Sequence, residues 1–596
     1  MLTSQKYQVT TVTVNTLLTR VETDNIAIPD IQRPFVWGKT KVRNLIDSLY
    51  RGYPTGYLIA WKNPNVGLKD GTISSGKKIL IDGQQRVTAL TAAVLGHSVI
   101  NKEYKKESIK IAFKPTTEEF EVQNPAIMKD VSWIPDISLI LHGGNIIRAI
   151  SEYQEKNPNA DERQVQDSMQ NLLDIQSKTL GLIDLEADLN IDAVCIIFER
   201  VNSAGVRLSQ ADFAMSKIAT YGDFGSRLRK LVEYFCKLAV APEFYPTLIN
   251  TDKDFTQSPY IEKIKWLKNE NDDLFDPSYS DLIRIAFTSE FERGKMGDLV
   301  SLLSGRNFET KKFEEEIQKA TFERLEKSLL RVVNEDSFKK FLMIIRSTGF
   351  IVPKMIKSAY ALNFAYITYL KLRERGVKQH DIGQFVGKWF VMSLLTGRYS
   401  SSNETKFDSD IKKIADDHQS YLKHIEATEL SVAFWDVALV SELEKSNPSN
   451  PFLSIFFASQ VKENDMGFLS TGISVMNMIG TMGDVHHIFP KAYIKKTLNS
   501  KKDYNQIANL VYTQTEINNA IKDKPPFEYF GELSEQCKGG TPKYGGITDI
   551  NTLKKNMHQN CIPESVFNMS IEQYHDFLKE RRVLMAKKIK NYYQNL

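Results

Sequence analysis

A chain of 596 residues is too long for one hydrophobic core, so two to four domains are expected. With 42% hydrophobic and 25% charged residues, and no apolar run of about 18 residues, the composition is typical of a soluble globular protein and predicts no membrane-spanning helix. The net charge of +4 excludes a histone-like chain and allows nucleic-acid binding without requiring it.

Neither the N-terminus nor the cysteines favour export. The first residues, MLTSQKYQVTTVTV, lack the charged-then-apolar pattern of a signal peptide. The four cysteines are scattered and form no CxxC pair: Cys195, Cys236, Cys537 and Cys561. This spacing argues against a zinc ribbon and against a disulfide scaffold. We therefore expect a cytoplasmic protein.

The first 220 residues mix short strand-like runs with helices. VTTVTVNTLL (residues 9–18) and KKILI (77–81) predict strands. KVRNLIDSLYRG predicts a helix, because four apolar residues recur at helical spacing: Val42, Leu45, Ile46 and Leu49.

From about residue 221 to 440 the pattern becomes helical, with longer apolar stripes. Gly349 and Pro353 predict a break within the longest helical run. The turn-rich SNPSNP at 446–451 predicts a boundary before a C-terminal domain. The chain is therefore predicted to be a multidomain α+β protein with three parts, comprising residues 1–220, an α-helical connector at 221–445, and 446–596.

KKILIDGQQRVTALTAAVLG is the most informative stretch of the first part. A strand, Ile79–Ile81, leads into Asp82, Gly83, Gln84, Gln85 and Arg86, and a helix rich in Ala and Leu follows. Free backbone N–H groups and the helix dipole favour an anion at such a helix start. Arg86 adds a donor suited to phosphate, and Asp82 suits a metal ion or a water. The alternative is a simple helix cap with a surface Arg.

Two further segments accompany this turn. QRPFVW supplies Gln32 and Arg33 ahead of Phe35 and Trp37, whose aromatic rings are expected in the core. FERVNSAGVRLSQAD supplies three polar residues ahead of a Gly turn, namely Glu199, Arg200 and Asn202. A capping box between Ser209 and Asp212 is predicted after the turn.

Together, QRPFVW, GYPTG, IDGQQR and FERVNSAGVRLSQAD resemble the N-terminal domain of GmrSD-type modification-dependent (type IV) restriction endonucleases. The resemblance implies a ParB/sulfiredoxin-like fold that binds and hydrolyses a nucleoside triphosphate. It implies that residues 82–86 form the phosphate site, that Gln32 and Arg33 line the same cleft, and that Glu199, Arg200 and Asn202 lie near the nucleotide. It does not specify the nucleobase of the triphosphate.

The stretch MGDVHHIFPKAY, residues 482–493, places two histidines side by side. With QIANLVYTQTEINNAIKDK it gives paired His, Ile-x-Pro, and two Asn residues nine positions apart. An HNH (ββα-metal) nuclease needs a His base, an Asn that orients it and ligands for one divalent ion. The stretch resembles the HNH domain of GmrSD-type enzymes, and a pair of exposed histidines in a strand is the alternative.

The resemblance assigns roles by position. His487 takes the place of the general base and Asn509 that of the orienting residue. His486 and Asn518 take the metal-ligand places, although the family often has an acid where His486 stands. Asp484 is a reserve carboxylate ligand, because residues two apart in a strand point to the same side. Mg²⁺ and Mn²⁺ both suit this donor set.

Two basic features have a non-functional alternative interpretation. Five lysines lie between the base and Asn509, where they either neutralise DNA phosphates or form a solvated face: Lys491, Lys495, Lys496, Lys501 and Lys502. Arg398 follows an apolar helix, where a structural role is the alternative to contact with DNA or the nucleotide domain. The C-terminal KERRVLMAKKIKNYY predicts an amphipathic helix.

The resemblance therefore implies an NTP-dependent DNA endonuclease of anti-phage defence. It would sense modified double-stranded DNA and nick or cleave it at a metal-dependent HNH site, and cutting both strands would suit a homodimer. One rival of the same architecture senses phosphorothioate DNA. Others are a regulatory DNA-binding NTPase with an inactive HNH domain and a toxin-like effector that degrades RNA.

Overall fold

The computed structural model describes most of the chain in thirteen stretches: residues 6–23, 25–27, 35–62, 78–100, 106–186, 189, 197, 210–219, 221–270, 274–445, 450–481, 485–498 and 501–596. Internal contacts divide the chain into two compact units. The N-terminal unit comprises Met1–Asn271, Pro277–Ser280 and Val300–Phe322. The C-terminal unit comprises Asp272–Asp276, Asp281–Leu299 and Glu323–Leu596. The predicted three-part division remains a prediction.

The N-terminal unit contains a mixed five-stranded sheet in the order β1-β9-β3-β4-β2. Its strands are β1 (Tyr7–Thr13), β2 (Ile26–Ala27), β3 (Tyr57–Lys62), β4 (Lys78–Asp82) and β9 (Thr179–Leu185). Two antiparallel pairs lie outside this sheet, namely β5 (Val99–Ile100) with β6 (Lys106–Glu107) and β7 (Ile111–Lys114) with β8 (Glu119–Val122).

Between β1 and β9, the described residues form six helices: α1 (Val14–Glu22), α2 (Lys39–Tyr50), α3 (Gln84–Leu95), α4 (Ser138–Leu141), α5 (Ile146–Lys156) and α6 (Glu162–Leu173). Helix α2 confirms the predicted periodicity, since Val42, Leu45, Ile46 and Leu49 are all buried. The predicted core aromatics are also confirmed. Phe35 is 4% exposed, and Trp37 packs against the same hydrophobic core.

The predicted strand over residues 9–18 is wrong in its second half. Strand β1 ends at Thr13, whose hydroxyl accepts the backbone N–H of Thr16 at 3.1 Å and caps α1. Val14, Leu17 and Leu18 are buried at helical spacing. A threonine N-cap and an apolar stripe at helical spacing therefore outweigh the β-branched run.

The following helices are α7 (Gln210–Ala219), α8 (Gly222–Val240), α9 (Tyr245–Thr251), α10 (Lys253–Thr256), α11 (Tyr260–Ile264), α12 (Tyr279–Phe291), α13 (Met296–Leu303) and α14 (Glu315–Val332). The C-terminal unit continues with α15 (Glu335–Ser347), α16 (Ala359–Glu374), α17 (Gln379–Leu395), α18 (Asn403–Glu429) and α19 (Leu439–Glu442). The chain is thus mostly helical with small sheets, in agreement with the predicted α+β class.

The predicted break at Gly349 and Pro353 is confirmed. Helix α15 ends at Ser347, a short 3-10 turn covers Pro353–Met355, and α16 begins at Ala359. Gly349 has a φ of +95°, and a Cβ there would lie 2.1 Å from the carbonyl oxygen of Ala458. A side chain at this position would clash with the neighbouring backbone.

The remaining elements are α20 (Pro451–Lys462), α21 (Val475–Gly480), β10 (Val485–His487), α22 (Lys491–Lys495), α23 (Lys501–Tyr504), β11 (Leu510–Tyr512), α24 (Thr515–Ile521), α25 (Pro526–Cys537), α26 (Ile550–Gln559) and α27 (Tyr574–Gln594). The predicted C-terminal helix is confirmed as α27. It packs against α20, and its Tyr592 hydroxyl donates to the carbonyl oxygen of Thr348 at 2.5 Å. No helix in the described part of the chain is both long and apolar enough to cross a membrane.

Arg398 takes the structural alternative. Its guanidinium bonds both carboxylate oxygens of Asp410 at 2.7 Å and one oxygen of Glu429 at 2.6 Å. The Arg398 side chain is 3% exposed and that of Asp410 is 0% exposed. The buried pair with Asp410 and the partly exposed pair with Glu429 hold the turn after α17 against α18.

Candidate functional sites

The paired histidines lie in a hairpin that is followed by a helix. Strands β10 and β11 are antiparallel, with His486 opposite Val511 and His487 opposite Leu510. Helix α24 begins at Thr515, three residues after β11 ends, and carries Asn518. Two short helices, α22 and α23, lie between the strands in the chain. The paired strands and the helix after them are the elements that the HNH prediction requires.

His487 lies in a setting that favours the neutral imidazole. Burial lowers the pKa of His487 below its usual value, and the charges of Lys491 and His486 lower it further, whereas a hydrogen bond with Asn505 opposes them. Its Nε2 is 3.4 Å from Oδ1 of Asn505, and its ring centroid is 6.5 Å from that of Tyr504. A neutral imidazole is the form that can accept a proton from water.

Asn509 contacts the loop that follows His487. It is 0% exposed. Its Oδ1 accepts the backbone N–H of Phe489 at 2.8 Å, and its Nδ2 donates to the carbonyl oxygen of Phe489 at 3.0 Å and to that of Tyr504 at 3.5 Å. Among the described residues, these bonds occupy the amide, so any orienting action of Asn509 passes through the backbone two residues after His487.

Two buried residues that the sequence did not single out support this hairpin. The Tyr529 hydroxyl donates to the carbonyl oxygen of Ile488 at 3.0 Å. Arg581 is 0% exposed and donates to the carbonyl oxygens of Ala508 at 2.7 Å and Leu510 at 3.0 Å, the two residues that flank Asn509. Burial lowers the pKa of Arg581 to about 10. A single Arg among basic residues of a helix gives no sequence signal for this role.

The described part of the predicted metal site supplies an imidazole and an amide. His486 is part of β10, and Asn518 is half-buried on α24. Asp484 lies outside the described residues. Within those residues, no group of three or more His, Cys, Asp or Glu side chains is placed to hold a metal ion. Further ligands would have to come from Asp484, water or the DNA itself.

Two of the predicted basic residues lie over Tyr504, near His487. Lys491 and Lys495 place their ammonium groups 4.9 and 5.4 Å from the ring centroid of Tyr504, whose ring neighbours His487. In the described part of the chain neither ammonium forms an ion pair, whereas Lys496 pairs with Asp523 at 2.8 Å. The side chains of Lys501 and Lys502 lie outside the description.

The DGQQR segment is a tight turn between β4 and α3. Gly83 has a φ of +93°, and a Cβ there would lie 2.3 Å from Cδ2 of Leu58. Only glycine fits such a position without strain. As the N-cap of α3, Gly83 offers no side-chain hydrogen bond to the first turn. The predicted helix start is therefore confirmed, with Asp82 at the end of β4 beside it.

The three side chains that follow Gly83 differ in exposure. Gln84 is 7% exposed and Gln85 is 9% exposed. The Oε1 of Gln85 accepts the backbone N–H of Val36 at 2.8 Å, which limits the capacity of that oxygen to bind a ligand. Arg86 is half-buried, and its Nη1 donates to the carbonyl oxygen of Tyr57 at 2.7 Å. Burial lowers the pKa of Arg86, and Asp82 opposes that shift.

The hydrogen bond from Val36 ties the DGQQR turn to the QRPFVW segment. The other predicted cleft residues lie outside the described residues: Gln32, Arg33, Glu199, Arg200 and Asn202. Ser209, the first half of the predicted capping box, lies outside them too. Its partner Asp212 is on α7 and accepts a hydrogen bond from the Tyr279 hydroxyl at 2.5 Å.

Comparison with known proteins supports the N-terminal assignment. Residues 14–219 match the family described as "GmrSD restriction endonuclease, N-terminal domain". This match supports the resemblance of the N-terminal region to that restriction endonuclease domain. An uncharacterized protein of Methanocaldococcus jannaschii is 22% identical over 599 residues, which cover 91% of this chain and 90% of that protein. Similarity therefore extends well beyond the matched domain.

Proposed function

We propose that this protein is an NTP-dependent DNA endonuclease of anti-phage defence, with its cutting site at the HNH-like hairpin. One observation carries the proposal. The nine-residue spacing of Asn509 and Asn518 coincides with a β10–β11 hairpin followed by α24, and His487 lies on that hairpin. The match of residues 14–219 to a restriction endonuclease domain supports the same activity from the other end of the chain.

In the proposed reaction, His487 is the general base. Its neutral imidazole accepts a proton from a water molecule, whose oxygen forms a bond to phosphorus as the bond to the leaving oxygen breaks. The leaving oxygen takes a proton from solvent. Asn509 and Tyr529 hold the backbone at Phe489 and Ile488, which fixes the strand end that carries the base.

His486 and Asn518 would hold a divalent ion, with Asp484 as the reserve carboxylate. One imidazole and one amide leave several positions for water and phosphate oxygens, which suits Mg²⁺ or Mn²⁺. Such an ion would supply charge stabilisation at the phosphate and the leaving oxygen. A preference for Mn²⁺ over Mg²⁺ is expected, because imidazole is a softer ligand than carboxylate.

Lys491 and Lys495 are the proposed DNA contacts nearest the base. Both ammonium groups lie over Tyr504 and form no ion pair in the described part of the chain. Each ammonium that neutralises a phosphate releases a condensed counterion, so binding would weaken as salt rises.

The proposed nucleotide site is the turn from Asp82 to Arg86. The first-turn N–H groups of α3 and the guanidinium of Arg86 would bind phosphate, while Gly83 lets the backbone approach closely. Buried Gln84 and Gln85 shape the turn, and Asp82 would position an ion or a water. Gln32, Arg33 and Asn202 are proposed for the same cleft.

One observation favours a second candidate, a regulatory DNA-binding NTPase with an inactive HNH domain. His486 stands where the family often has an acid. This candidate keeps nucleotide hydrolysis and DNA binding and loses cutting.

A cleavage assay separates the candidates. Matched unmodified, hydroxymethylated, glucosylated and phosphorothioate DNAs are incubated with Mg²⁺ or Mn²⁺, with and without NTP. We expect cutting of one modified class, which names the mark, and its loss in His487→Ala. His424→Ala removes an exposed histidine of α18 and serves as the matched control. Nucleotide hydrolysis without cutting of any DNA would support the regulatory candidate instead.

A further inference from the structure

The imidazole of His487 has a side-chain partner that lies outside the HNH-like residues. Nε2 of His487 is 3.4 Å from Oδ1 of Asn505. Asn505 follows α23 and lies four residues before Asn509, in the turn that leads to β11. Nothing in the Asn509–Asn518 spacing identifies it, and a lone Asn after a lysine-rich stretch is otherwise typical of a loop.

Asn509 does not compete with Asn505 for the hydrogen bond to the ring of His487. Its amide bonds the N–H and the carbonyl oxygen of Phe489 and the carbonyl oxygen of Tyr504. It is therefore committed to the backbone of Phe489 and Tyr504, which both follow the strand that carries His487. The two asparagines have separate tasks, since Asn509 contacts the loop and Asn505 contacts the ring.

The backbone around Asn505 is fixed by hydrogen bonds on both sides. The Tyr574 hydroxyl donates to the carbonyl oxygen of Asp503 at 2.7 Å, and Asn509 donates to the carbonyl oxygen of Tyr504. Beyond Asn505, the carbonyl oxygen of Gln506 accepts the backbone N–H of Asn509 at 2.9 Å. A side chain on such a backbone can orient a neighbouring ring, because the fixed backbone restricts the motion of the side chain.

The contact selects one form of the imidazole. With Oδ1 of Asn505 facing the ring, the contact is a hydrogen bond when Nε2 carries the hydrogen, which leaves the lone pair on Nδ1. We propose that Asn505 is the positioning residue that orients His487 and holds it in the Nε2–H tautomer, so that Nδ1 accepts the proton of the attacking water. This inference rests on the proposed nuclease function.

The kinetic test compares three variants in the full-length protein. Asn505→Ala is expected to lower kcat for cleavage by about 10- to 100-fold with KM unchanged, as losses of outer-shell partners do. Asn505→Asp retains an acceptor oxygen and is expected to recover most of the rate. Asn551→Ala removes an exposed Asn at the start of α26 and serves as the matched control.

A double substitution shows whether Asn505 acts through His487. If it does, adding Asn505→Ala to His487→Ala lowers the residual rate no further, since the partner is already absent. An equal loss in both backgrounds would mean that Asn505 acts on folding or DNA binding, and the inference would be overturned. A wild-type rate in Asn505→Ala would overturn it as well.

A second readout is independent of cutting. In protein labelled with ¹⁵N-histidine, two-bond correlations report which ring nitrogen of His487 carries the hydrogen, and His487→Gln assigns the signal. We expect the Nε2–H form in the wild type and in Asn505→Asp, and a mixture in Asn505→Ala. A predominant Nδ1–H form in the wild type would contradict the inference. If the protein cuts no DNA but shows the expected tautomers, the nuclease proposal fails while the Asn505 contact stands.

Discussion

The DGQQR turn and the HNH-like hairpin differ in what fixes their geometry. At the turn, the backbone conformation of Gly83 and the buried side chain of Leu58 leave no room for a Cβ. At the hairpin, buried side chains clamp the backbone, with Asn509, Tyr529 and Arg581 bonded to main-chain groups around His487. A backbone-built site is sensitive to added volume, whereas a clamped site is sensitive to lost hydrogen bonds.

The largest expected effect separates the two sites by activity. Arg86→Ala removes the proposed phosphate donor and is expected to reduce nucleotide hydrolysis by about 100-fold or more, by analogy with loss of one preorganised electrostatic contact. His487→Ala is expected to leave hydrolysis within about twofold, because its imidazole belongs to the other unit. Steady-state phosphate release measures both. Equal loss of hydrolysis in the two variants would show that both residues are needed for nucleotide hydrolysis, and would contradict two separate sites.

Arg581→Met tests the clamp on the hairpin. It leaves the carbonyl oxygens of Ala508, Leu510 and Asn560 without this donor, and we expect a loss of about 3 kcal/mol in unfolding free energy, since each buried unpaired group costs about 1–3 kcal/mol. Hydrogen exchange of peptides covering 485–512 should accelerate. Lys579→Met changes an exposed residue of α27 and should leave those peptides unaltered. Unchanged exchange in Arg581→Met would show that the hairpin does not depend on the clamp.

Gly83→Ala tests the backbone-built turn. A left-handed conformation costs a non-glycine residue about 1–2 kcal/mol, and the clash with Leu58 adds about 1–3 kcal/mol. Faster hydrogen exchange in α3 is the expected result. Gly143→Ala has the same sign of φ but nothing within 4 Å of the added Cβ, so it isolates the conformational cost. Equal effects of the two substitutions would mean that Leu58 moves aside freely.

The smallest expected effect concerns the lysines over Tyr504. Lys491→Ala and Lys495→Ala should each reduce the slope of log binding constant against log salt concentration by about 0.9. The loss of DNA-binding affinity should be the same for all DNA sequences. Fluorescence anisotropy with labelled duplex measures the slope. Lys423→Ala, an exposed residue of α18, is the control. An unchanged slope would assign the two lysines to a solvated face.

The sequence predicted local elements well where one physical signal acted alone. The stripe of Val42, Leu45, Ile46 and Leu49 predicts α2, and Gly349 with Pro353 predicts the break after α15. Prediction failed at residues 14–18, where the cap formed by Thr13 outweighed β-branched side chains. Local signals that compete cannot be ranked without the packing that decides between them.

The candidate sites were predictable only as motifs. Spacing identified His487 and Asn509, and a strand followed by Gly83 identified the turn. Asn505, Tyr529 and Arg581 could not be found, because their contacts to the hairpin depend on how a loop, α25 and α27 fold around it. A buried Arg that bonds only carbonyl oxygens is indistinguishable in sequence from the exposed basic residues beside it.

The most direct test of the central claim is chemical rescue of the base. His487→Gly leaves a space for a small molecule at the position of the imidazole, and nicking of the modified DNA is measured with and without added imidazole in the presence of Mn²⁺. We predict that cutting falls by about 100- to 10,000-fold and is partly restored by imidazole, because proton transfer by a positioned base contributes that much. Nicking by His487→Gly at the wild-type rate would contradict the account.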